Sequence, residues 1–567
     1  MLPTEFRKLQ SLSAPAEQAK ATWFLGAEEA VQFLKENGAA DEIVVYASLP
    51  HAYIQTVLAP ADALTPPDHD DLLRADIRPD DTWCIQHSWS SDGQRIYLEP
   101  PLRHAGCKSL AGAEPIVFRR NFSGMRGFYE PIEPNQKLVH CFGAHFMAER
   151  QAYSRLDDRG DLQDIIRIVQ VETPGTTHQQ AAVLISAKDL AEYMAVSNQV
   201  LFRKFDFTRF DRGFGGWGEY QRKSYRAADL AYEGGVTGGA SFINGFQIMR
   251  TSLTVADMIA ERDRANDPSR RQYETFKIHD WKNDRQVEVS CGPDGVANYF
   301  TKSDMPFEMS PAFFRPEVLQ KYKADPEKYE IRDRTITCRN AWHLKTYDIN
   351  EQGQVHTYIG YLAHLPHEEQ QYWKSFNQWP KGPISKRAFD TDFEGKWDTD
   401  RDPLFELKRA VRELDTRRPA WWSARGYPLL DAVLYPATTS SKEWGDEILA
   451  LDQLVVEGFS VKELRALVKR RGATVEKDWQ SLKLVEAALC ASGLGADEAI
   501  EAVAPLRRLH HLRSKVKGHA AGSEKTALEK EAIAKYGSLR AHFKALVDQC
   551  ALSVERIVGI LGATDKP

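Results

Sequence analysis

The stretch of the sequence most suited to chemistry is a basic segment, residues 505–519. The segment lacks Asp and Glu, and its basic residues are Arg507, Arg508, Arg513, Lys515, Lys517, His510, His511 and His519. In a chain of net charge -6, this concentration of positive charge suits a phosphate-bearing partner such as RNA. Charge alone favours a simpler interpretation, a solvated helix face, because basic side chains are favoured near the C-terminal end of a helix.

The spacing of Arg513 and His519 adds a specific chemistry. Five residues separate them, and the turn residue Gly518 directly precedes the histidine. A histidine, with an ordinary pKa of about 6.5, can exchange a proton with a ribose 2′-hydroxyl or a leaving oxygen at neutral pH. An arginine stays charged and can bind two phosphate oxygens, which stabilises the extra charge of a pentacoordinate phosphorus. The pair therefore suits phosphoryl chemistry that needs no metal ion.

Arg513, the polar Ser514 and His519 resemble the Arg-(4 to 6 residues)-His motif of HEPN-domain ribonucleases, and no other Arg and His in the chain have this spacing. The resemblance covers roughly residues 430–567. It implies a small all-helical domain and a homodimer in which two Arg/His pairs face each other across a shared cleft. It also implies metal-independent RNA cleavage with the 2′-hydroxyl as nucleophile. The expected catalytic residues are Arg513 and His519, and the expected RNA-binding residues are Arg507, Arg508, Lys515 and Lys517.

The leading hypothesis for the whole chain is a cytoplasmic endoribonuclease of the toxin or phage-defence kind that uses neither a metal nor a cofactor. The large N-terminal part would sense a phage or cellular trigger, since a large non-catalytic partner usually regulates a small toxic domain. Two alternatives remain open. In one, a degenerate HEPN-like domain only dimerises or binds RNA or protein. In the other, the chain is a metal-dependent hydrolase centred on His140, His145 and Glu149, with His145 and Glu149 on one helix face.

Other polar groups have simpler interpretations. His364 and His367 lie on either side of Pro366, and two glutamates follow, which indicates the start of a helix with acids at its positive end. The run Asp68–Asp71 predicts a loop.

Two glycine groups, residues 213–218 and 234–239, do not end in the Gly-Lys-Ser/Thr of a phosphate loop. We interpret them as turns between strands. Between residues 202 and 217, aromatic side chains alternate with Arg and Lys. Such a run could bind single-stranded nucleic acid, and a sheet core with a charged outer face explains it equally well.

Length and composition limit the class of protein. A chain of 567 residues exceeds the roughly 250–300 residues of one core, which predicts two to four domains. The seven cysteines include no CxxC pair, as expected for reduced thiols in a cytoplasm. The first residues do not read as a secretory signal, and no stretch approaches the ~20 apolar residues of a membrane helix. We therefore expect a cytoplasmic protein without membrane contact.

The elements that must position the basic segment change in type along the chain. Residues 1–155 are expected to form an α+β domain of unknown role. Residues 156–380 are expected to form a second α+β domain, rich in antiparallel sheet, with a sensing or regulatory role. Prolines, glycines and alternating charges predict a linker or crossover over residues 381–429. From residue 430 to 567, apolar residues at helical spacing predict a HEPN-like bundle of about five helices.

Three local patterns make sharper predictions. A hairpin is expected between Trp342–Ile349 and Val355–Leu362, with Gly353 in its turn. Ser460 has capping-box spacing and should open a helix. Pro505 should occupy the first position of the helix that carries the basic segment.

Overall fold

The chain was analysed as a computed structural model, which describes residues 2–13, 24–103, 105–120, 131–172, 179–211, 214–396, 402–438, 440–517 and 522–563. The chain divides into two compact units. Unit 1 comprises residues 1–157 and 162–271, and unit 2 comprises residues 158–161 and 272–567. Antiparallel sheet is concentrated in the first two thirds of the chain and helix in the last third, as the sequence predicts.

Unit 1 is built around one antiparallel sheet of 11 strands, with two separate hairpins, β3–β4 and β6–β7. Its strands are β1 (Glu42–Leu49), β2 (Ala52–Pro60), β3 (Cys84–Ser90), β4 (Gly93–Glu99), β5 (Glu114–Pro115), β6 (Val117–Arg119), β7 (Ile132–Pro134), β8 (His145–Met147), β9 (Ala152–Leu156), β10 (Leu162–Glu172), β11 (Gln179–Ser186), β12 (Gln199–Phe210), β13 (Gln221–Ala227), β14 (Leu230–Thr237) and β15 (Ala240–Met249). The order across the sheet is β13-β14-β15-β12-β2-β1-β11-β10-β9-β8, and β5 also pairs with β2.

The central strand β12 alternates its side chains between two cores. Phe202 packs with one set of buried residues and Phe205 with another, as the two-residue period of a strand requires. Arg203 is fully buried and donates hydrogen bonds to Asn37 Oδ1 (2.6 Å) and to the carbonyl oxygen of Leu34 (2.8 Å). The aromatic residues of this strand therefore form sheet core, as one of the two interpretations predicts, but the charged outer face that it also predicts is wrong for Arg203.

The helices of unit 1 pack beside the sheet and in its connections. They are α1 (Thr4–Ser13), α2 (Phe24–Gly38), α3 (His69–Leu73), α4 (Gln136–Cys141), α5 (Ala187–Ser197) and α6 (Val255–Asn266). The loop prediction for Asp68–Asp71 is wrong, because the Asp68 carboxylate accepts the backbone N–H of Asp71 and caps α3. The turn prediction for residues 234–239 fits only its last two glycines, since Gly234 and Gly235 lie within β14.

Unit 2 begins with two antiparallel sheets, of six and three strands. The strands are β16 (Thr275–Asp280), β17 (Arg285–Ser290), β18 (Pro311–Phe314), β19 (Tyr329–Ile331), β20 (Ile336–Cys338), β21 (Trp342–Leu344), β22 (Asp348–Ile349), β23 (Val355–Tyr358) and β24 (Asn377–Gln378). The six-stranded sheet has the order β17-β16-β18-β23-β22 with β24 beside β18, and β19-β20-β21 form the other. The predicted hairpin is confirmed for β22 and β23, where Gly353 has a φ of 73°. Its outer ends differ, because β21 pairs with β20 and a short helix follows β23.

The remainder of unit 2 is helical. Its helices are α7 (Gln320–Ala324), α8 (Ile359–Leu362), α9 (His367–Phe376), α10 (Lys386–Asp392), α11 (Pro403–Arg417), α12 (Gly426–Ala432), α13 (Ser441–Val455), α14 (Val461–Arg470), α15 (Ser481–Ala491), α16 (Ala496–Lys517), α17 (Gly522–Tyr536) and α18 (Leu539–Ala563). One continuous apolar core joins α11 to α18. Among the helices of the described residues, none is long and apolar enough to cross a membrane.

The structure divides the chain differently from the sequence-based domain boundaries. The boundary at 155/156 falls in β9, which pairs with β10 in the large sheet of unit 1. The expected linker, residues 381–429, contains α10, α11 and most of α12. In α11 an apolar stripe that includes Leu407, Val411 and Leu414 is buried in the helical core. The charged residues between these positions conceal the stripe in the sequence.

Two helix predictions have opposite outcomes. The Ser460 cap is confirmed, since its Oγ accepts the backbone N–H of Glu463 (3.5 Å) at the start of α14. The prediction for Pro505 is wrong, because α16 begins at Ala496 and the proline lies inside the helix. The upstream residues Asp497 and Glu498 occupy the first turn, where acidic side chains are favoured.

Candidate functional site

Two neighbouring helices, α13 and α16, position the predicted catalytic arginine. The side chain of Ser440 caps α13 by accepting the backbone N–H of Lys442 (3.2 Å). The buried face of α13 carries Ile448 and Leu451, and it also carries a carboxylate, Asp452, whose side chain is 0% exposed. The apolar stripe thus brings a charged group into the contact between α13 and α16.

Arg513 lies near the end of α16 with 37% of its side chain exposed. Its Nε is 3.7 Å from Asp452 Oδ2, and its Nη2 is 3.8 Å from Glu457 Oε1. Both distances permit Coulombic attraction and exceed the length of a hydrogen bond. Within the part of the chain that the structure describes, the guanidinium has ion-pair partners and no hydrogen-bond partner. Its donors remain available to a ligand.

His510 lies one turn before Arg513 and contacts the same carboxylate. Its Nδ1 is 3.1 Å from Asp452 Oδ1, and 49% of its side chain is exposed. A carboxylate at Nδ1 favours a proton on that nitrogen, which leaves Nε2 free to accept or donate a proton to a ligand. Burial raises the pKa of Asp452, and the hydrogen bond from His510 and the charge of Arg513 oppose that rise. We call Asp452, His510 and Arg513 together the Asp452 site.

Two other cations of the basic segment, Arg507 and Lys515, are less available. Arg507 forms an ion pair with Glu486, and Lys515 pairs with Glu524 at 2.9 Å. Burial lowers the pKa of His542 to about 4, and the positive charge of nearby Arg508 lowers it further. The predicted RNA-binding surface therefore contains internal ion pairs that RNA would have to replace.

Two predicted residues have no described side chain. Lys517 ends α16, and only its place in the helix is described. His519 lies outside the described residues, as does Gly518, so the predicted pairing of Arg513 with His519 stays a prediction.

Sequence reasoning missed Asp452 and gave no separate role to His510. A signal for both was present. Asp452 interrupts an apolar stripe of α13, and a buried carboxylate requires a charged or hydrogen-bonding partner. The histidine-rich α16 was the best source of that partner within a helical domain.

The residues of the alternative metal site are not arranged as the sequence predicts. His145 lies in β8, whereas Glu149 lies in the short 3₁₀ turn that follows, so the two do not share a helix face. Among the described residues, no group of three or more His, Cys, Asp or Glu side chains is placed to hold a metal ion. The helix start predicted after Pro366 is confirmed by α9, whose His367 Nε2 lies 3.2 Å from Glu274 Oε1.

Comparisons of the chain with protein-family models, with curated proteins and with solved structures found no match.

Proposed function

We propose that the helical part of unit 2 is an endoribonuclease that cleaves RNA without a metal ion. The observation that carries the proposal is the Asp452 site, in which one buried carboxylate contacts both His510 and Arg513 on successive turns of α16. A proton carrier and a phosphate-binding cation are thereby held side by side on a rigid helix.

The chemistry is an internal phosphoryl transfer. A histidine accepts the proton of the ribose 2′-hydroxyl, the 2′-oxygen bonds to the adjacent phosphorus, and the bond from phosphorus to the 5′-oxygen breaks. A protonated histidine supplies the proton that the leaving 5′-oxygen takes up. The products are a 2′,3′-cyclic phosphate and a 5′-hydroxyl. Arg513 contributes by neutralising the charge that develops on the phosphoryl oxygens.

Two histidines are candidates for these proton transfers. The HEPN resemblance favours His519, and the contact with Asp452 favours His510. One could act as base and the other as acid, since the reaction removes one proton and supplies another. In the homodimer that the resemblance implies, the second copy would supply a further Arg/His pair to the same cleft.

The test is cleavage of total RNA and transfer RNA by the purified chain in excess EDTA. The variants are Arg513→Ala, His519→Ala and His510→Ala. The matched control is His511→Ala, an exposed histidine on the same helix outside the Asp452 site. We expect Arg513→Ala to abolish cleavage and His511→Ala to preserve it. Loss in only one of the other two variants would identify the essential histidine. Equal cleavage by all five proteins would eliminate this site.

One observation favours a second candidate, a non-catalytic RNA-binding or protein-binding domain. Arg507 and Lys515 are already paired with acids, and Asp452 itself bridges α13 and α16. In that case Arg513→Ala would lower RNA affinity in a filter-binding assay, and neither the parent nor any variant would produce a cyclic phosphate end. An infected-cell extract should be added in one arm, because a trigger for unit 1 is part of the proposed regulation.

A further inference from the structure

A second polar site lies beside α11, away from the Asp452 site. It is a cavity of about 230 Å³ between α11, α12 and the strand β19. This volume is just below the roughly 300 Å³ at which ordinary small-molecule pockets begin. The side chains that determine its chemistry are Arg332, Phe405, Lys408, Arg412, Asp431 and Tyr435.

Two cations of the cavity lack a direct partner. Lys408 and Arg412 are four residues apart on α11, so they lie on the same face of the helix. Neither forms a hydrogen bond or an ion pair within 4 Å among the residues that the structure describes. Two like charges at this spacing destabilise a helix. An anion bound between the two side chains would reduce the repulsion between their charges.

The electrostatic environment of Lys408 supports the same conclusion. The pKa of its ammonium group is lowered to about 8, mainly by burial and in part by the charge of Arg412. The carboxylates of Asp431, Glu447 and Asp402 oppose this shift without reversing it. A half-buried ammonium whose charge is this poorly compensated gains more from a bound anion than an exposed lysine does.

Two other pairs of polar groups in the cavity are already engaged. Tyr435 donates its hydroxyl hydrogen to Asp402 Oδ1 (2.7 Å). Arg332 lies 4.4 Å from the ring centre of Phe405 and bonds to Glu330 through Nε (3.2 Å). The half-buried ring of Phe405 and the planar Arg332 together line a flat, partly apolar part of the cavity. The cavity thus offers one place for an anionic group and another for a flat or apolar group.

We propose that this cavity binds a small organic anion, with its phosphate or carboxylate group between Lys408 and Arg412 and the rest of the molecule against Phe405. The ligand is a small molecule, because the cavity would not admit a folded segment or a nucleic-acid strand. The site is independent of the proposed nuclease chemistry, since no residue of the Asp452 site lines it.

The first experiment measures thermal unfolding of the full chain with inorganic pyrophosphate or with citrate at millimolar concentration, at constant ionic strength. The variants are Lys408→Met and Arg412→Met, and Lys408→Arg restores the charge. The matched control is Arg409→Met, because Arg409 is the next residue of α11 and pairs with Glu406 on the surface. We expect at least one anion to raise the unfolding temperature of the parent and of the Arg409 variant by several degrees. The two methionine variants should lose this rise, and Lys408→Arg should retain part of it.

The choice between phosphate and carboxylate follows from which probe acts on the parent. The second experiment is acylation of lysines followed by peptide mapping, in which the active probe should protect Lys408 at least several-fold and leave the exposed Lys462 unprotected. An equal rise in parent and Lys408→Met overturns the proposal, and so does the absence of both stabilisation and protection in the parent.

Discussion

Two of the buried aspartates of unit 2, Asp333 and Asp452, are partnered very differently. Asp333 accepts bonds from Arg387 (2.5 Å) and Lys544 (2.7 Å) at Oδ2 and from Arg540 (3.4 Å) at Oδ1. Asp452 is inaccessible to solvent, and among the described residues its carboxylate has only His510 within hydrogen-bond distance. We call the first group, with its three cations, the Asp333 cluster.

The pKa values of the two aspartates shift in opposite directions. Burial alone would raise the pKa of Asp333, but the charges of its three cations hold it below the usual range. Burial does raise the pKa of Asp452, because its partners compensate only in part. Full pairing is what a structural cluster needs, whereas the proposed nuclease needs the incomplete pairing seen for Arg513 and His510. The charge of Asp333 therefore stabilises the fold, whereas the charge of Asp452 suits the proposed reaction.

The largest effect is expected in the Asp333 cluster. Asp333→Ala leaves three cations without their shared carboxylate, and breaking a buried ion pair in this way costs about 3–5 kcal/mol. We expect a loss of that size in the free energy of unfolding, measured by urea denaturation at pH 7. Because the folded pKa is lowered, the contribution of Asp333 is present above pH 3.8 and disappears as pH falls through the folded value.

Glu330→Ala is the control for this prediction, since Glu330 lies in the adjacent strand with a half-exposed side chain. It should change the unfolding free energy by no more than about 0.5 kcal/mol. A loss below about 1 kcal/mol for Asp333→Ala, in the range of a surface pair, would remove the contrast between the two aspartates.

Arg513→Ala should affect cleavage far more than stability. Removing a group that stabilises transition-state charge costs roughly 10²–10³-fold in rate, whereas an ion pair this exposed contributes at most about 1 kcal/mol to folding. The measurements are single-turnover RNA cleavage and urea unfolding of the same preparations. Arg470→Ala, at an exposed position in α14, controls for a general loss of positive charge. A stability loss above about 3 kcal/mol with unchanged cleavage would make Arg513 a structural residue like those around Asp333.

Asp452→Asn should lower activity while leaving the fold as stable or more so. The raised pKa means that the folded state holds the Asp452 proton more tightly than the unfolded state does. The charged carboxylate therefore destabilises the fold at neutral pH, and the penalty develops as pH rises above 3.8. Asparagine removes the penalty, but it also loses the charge that orients His510, for which we expect a roughly 10- to 100-fold slower cleavage.

Urea unfolding of the parent and of Asp452→Asn, at pH 7 and at pH 3.5, checks the sign of this stability difference. Any gain of the asparagine variant over the parent should shrink at the lower pH, where the parent carboxyl is protonated. If the asparagine variant is several kcal/mol less stable than the parent at pH 7, the Asp452 carboxylate stabilises the fold as that of Asp333 does.

The sequence predicted element types well where one face of an element dominates its pattern. The hairpin around Gly353 and the cap at Ser460 follow from local turn and capping chemistry, and both are confirmed. Prolines, glycines and alternating charges predict a linker where α11 forms, because charged residues lie between its buried apolar positions. The prediction for Pro505 is wrong because proline is favoured at a helix start, whereas the acidic residues Asp497 and Glu498 mark the first turn of the actual helix.

The candidate site could be predicted only in part for a different reason. Arg513 was identified from spacing along one helix, which sequence preserves. Asp452 belongs to another helix, and its contact with His510 spans 58 residues of chain. Which residues of two helices meet depends on how they pack, and a single sequence does not contain that information. The one available clue was the presence of a carboxylate among buried leucines.

The smallest expected effect concerns Lys408, whose charge lacks even the partial pairing of Asp452. With burial lowering its pKa to about 8, the folded state holds the Lys408 proton less tightly than the unfolded state, whose value is near 10.5. The ammonium therefore destabilises the fold at neutral pH, and the penalty disappears as pH rises from about 8 toward 10.5. Lys408→Met should be slightly more stable than the parent at pH 7, with the difference fading by pH 10.

The charges that face Lys408 enter this prediction directly. Arg412, Asp431, Glu447 and Asp402 set the shift, so Asp431→Asn should lower the pKa of Lys408 further and enlarge the gain from Lys408→Met. The pH dependence of lysine acylation provides the second measurement, because the rate at Lys408 should level off above about pH 8, and the exposed Lys462 serves as the reference lysine. If the acylation rates of Lys408 and Lys462 have the same pH dependence, Lys408 is an ordinary surface amine. Asp452 is then the least compensated of the three charges compared in unit 2.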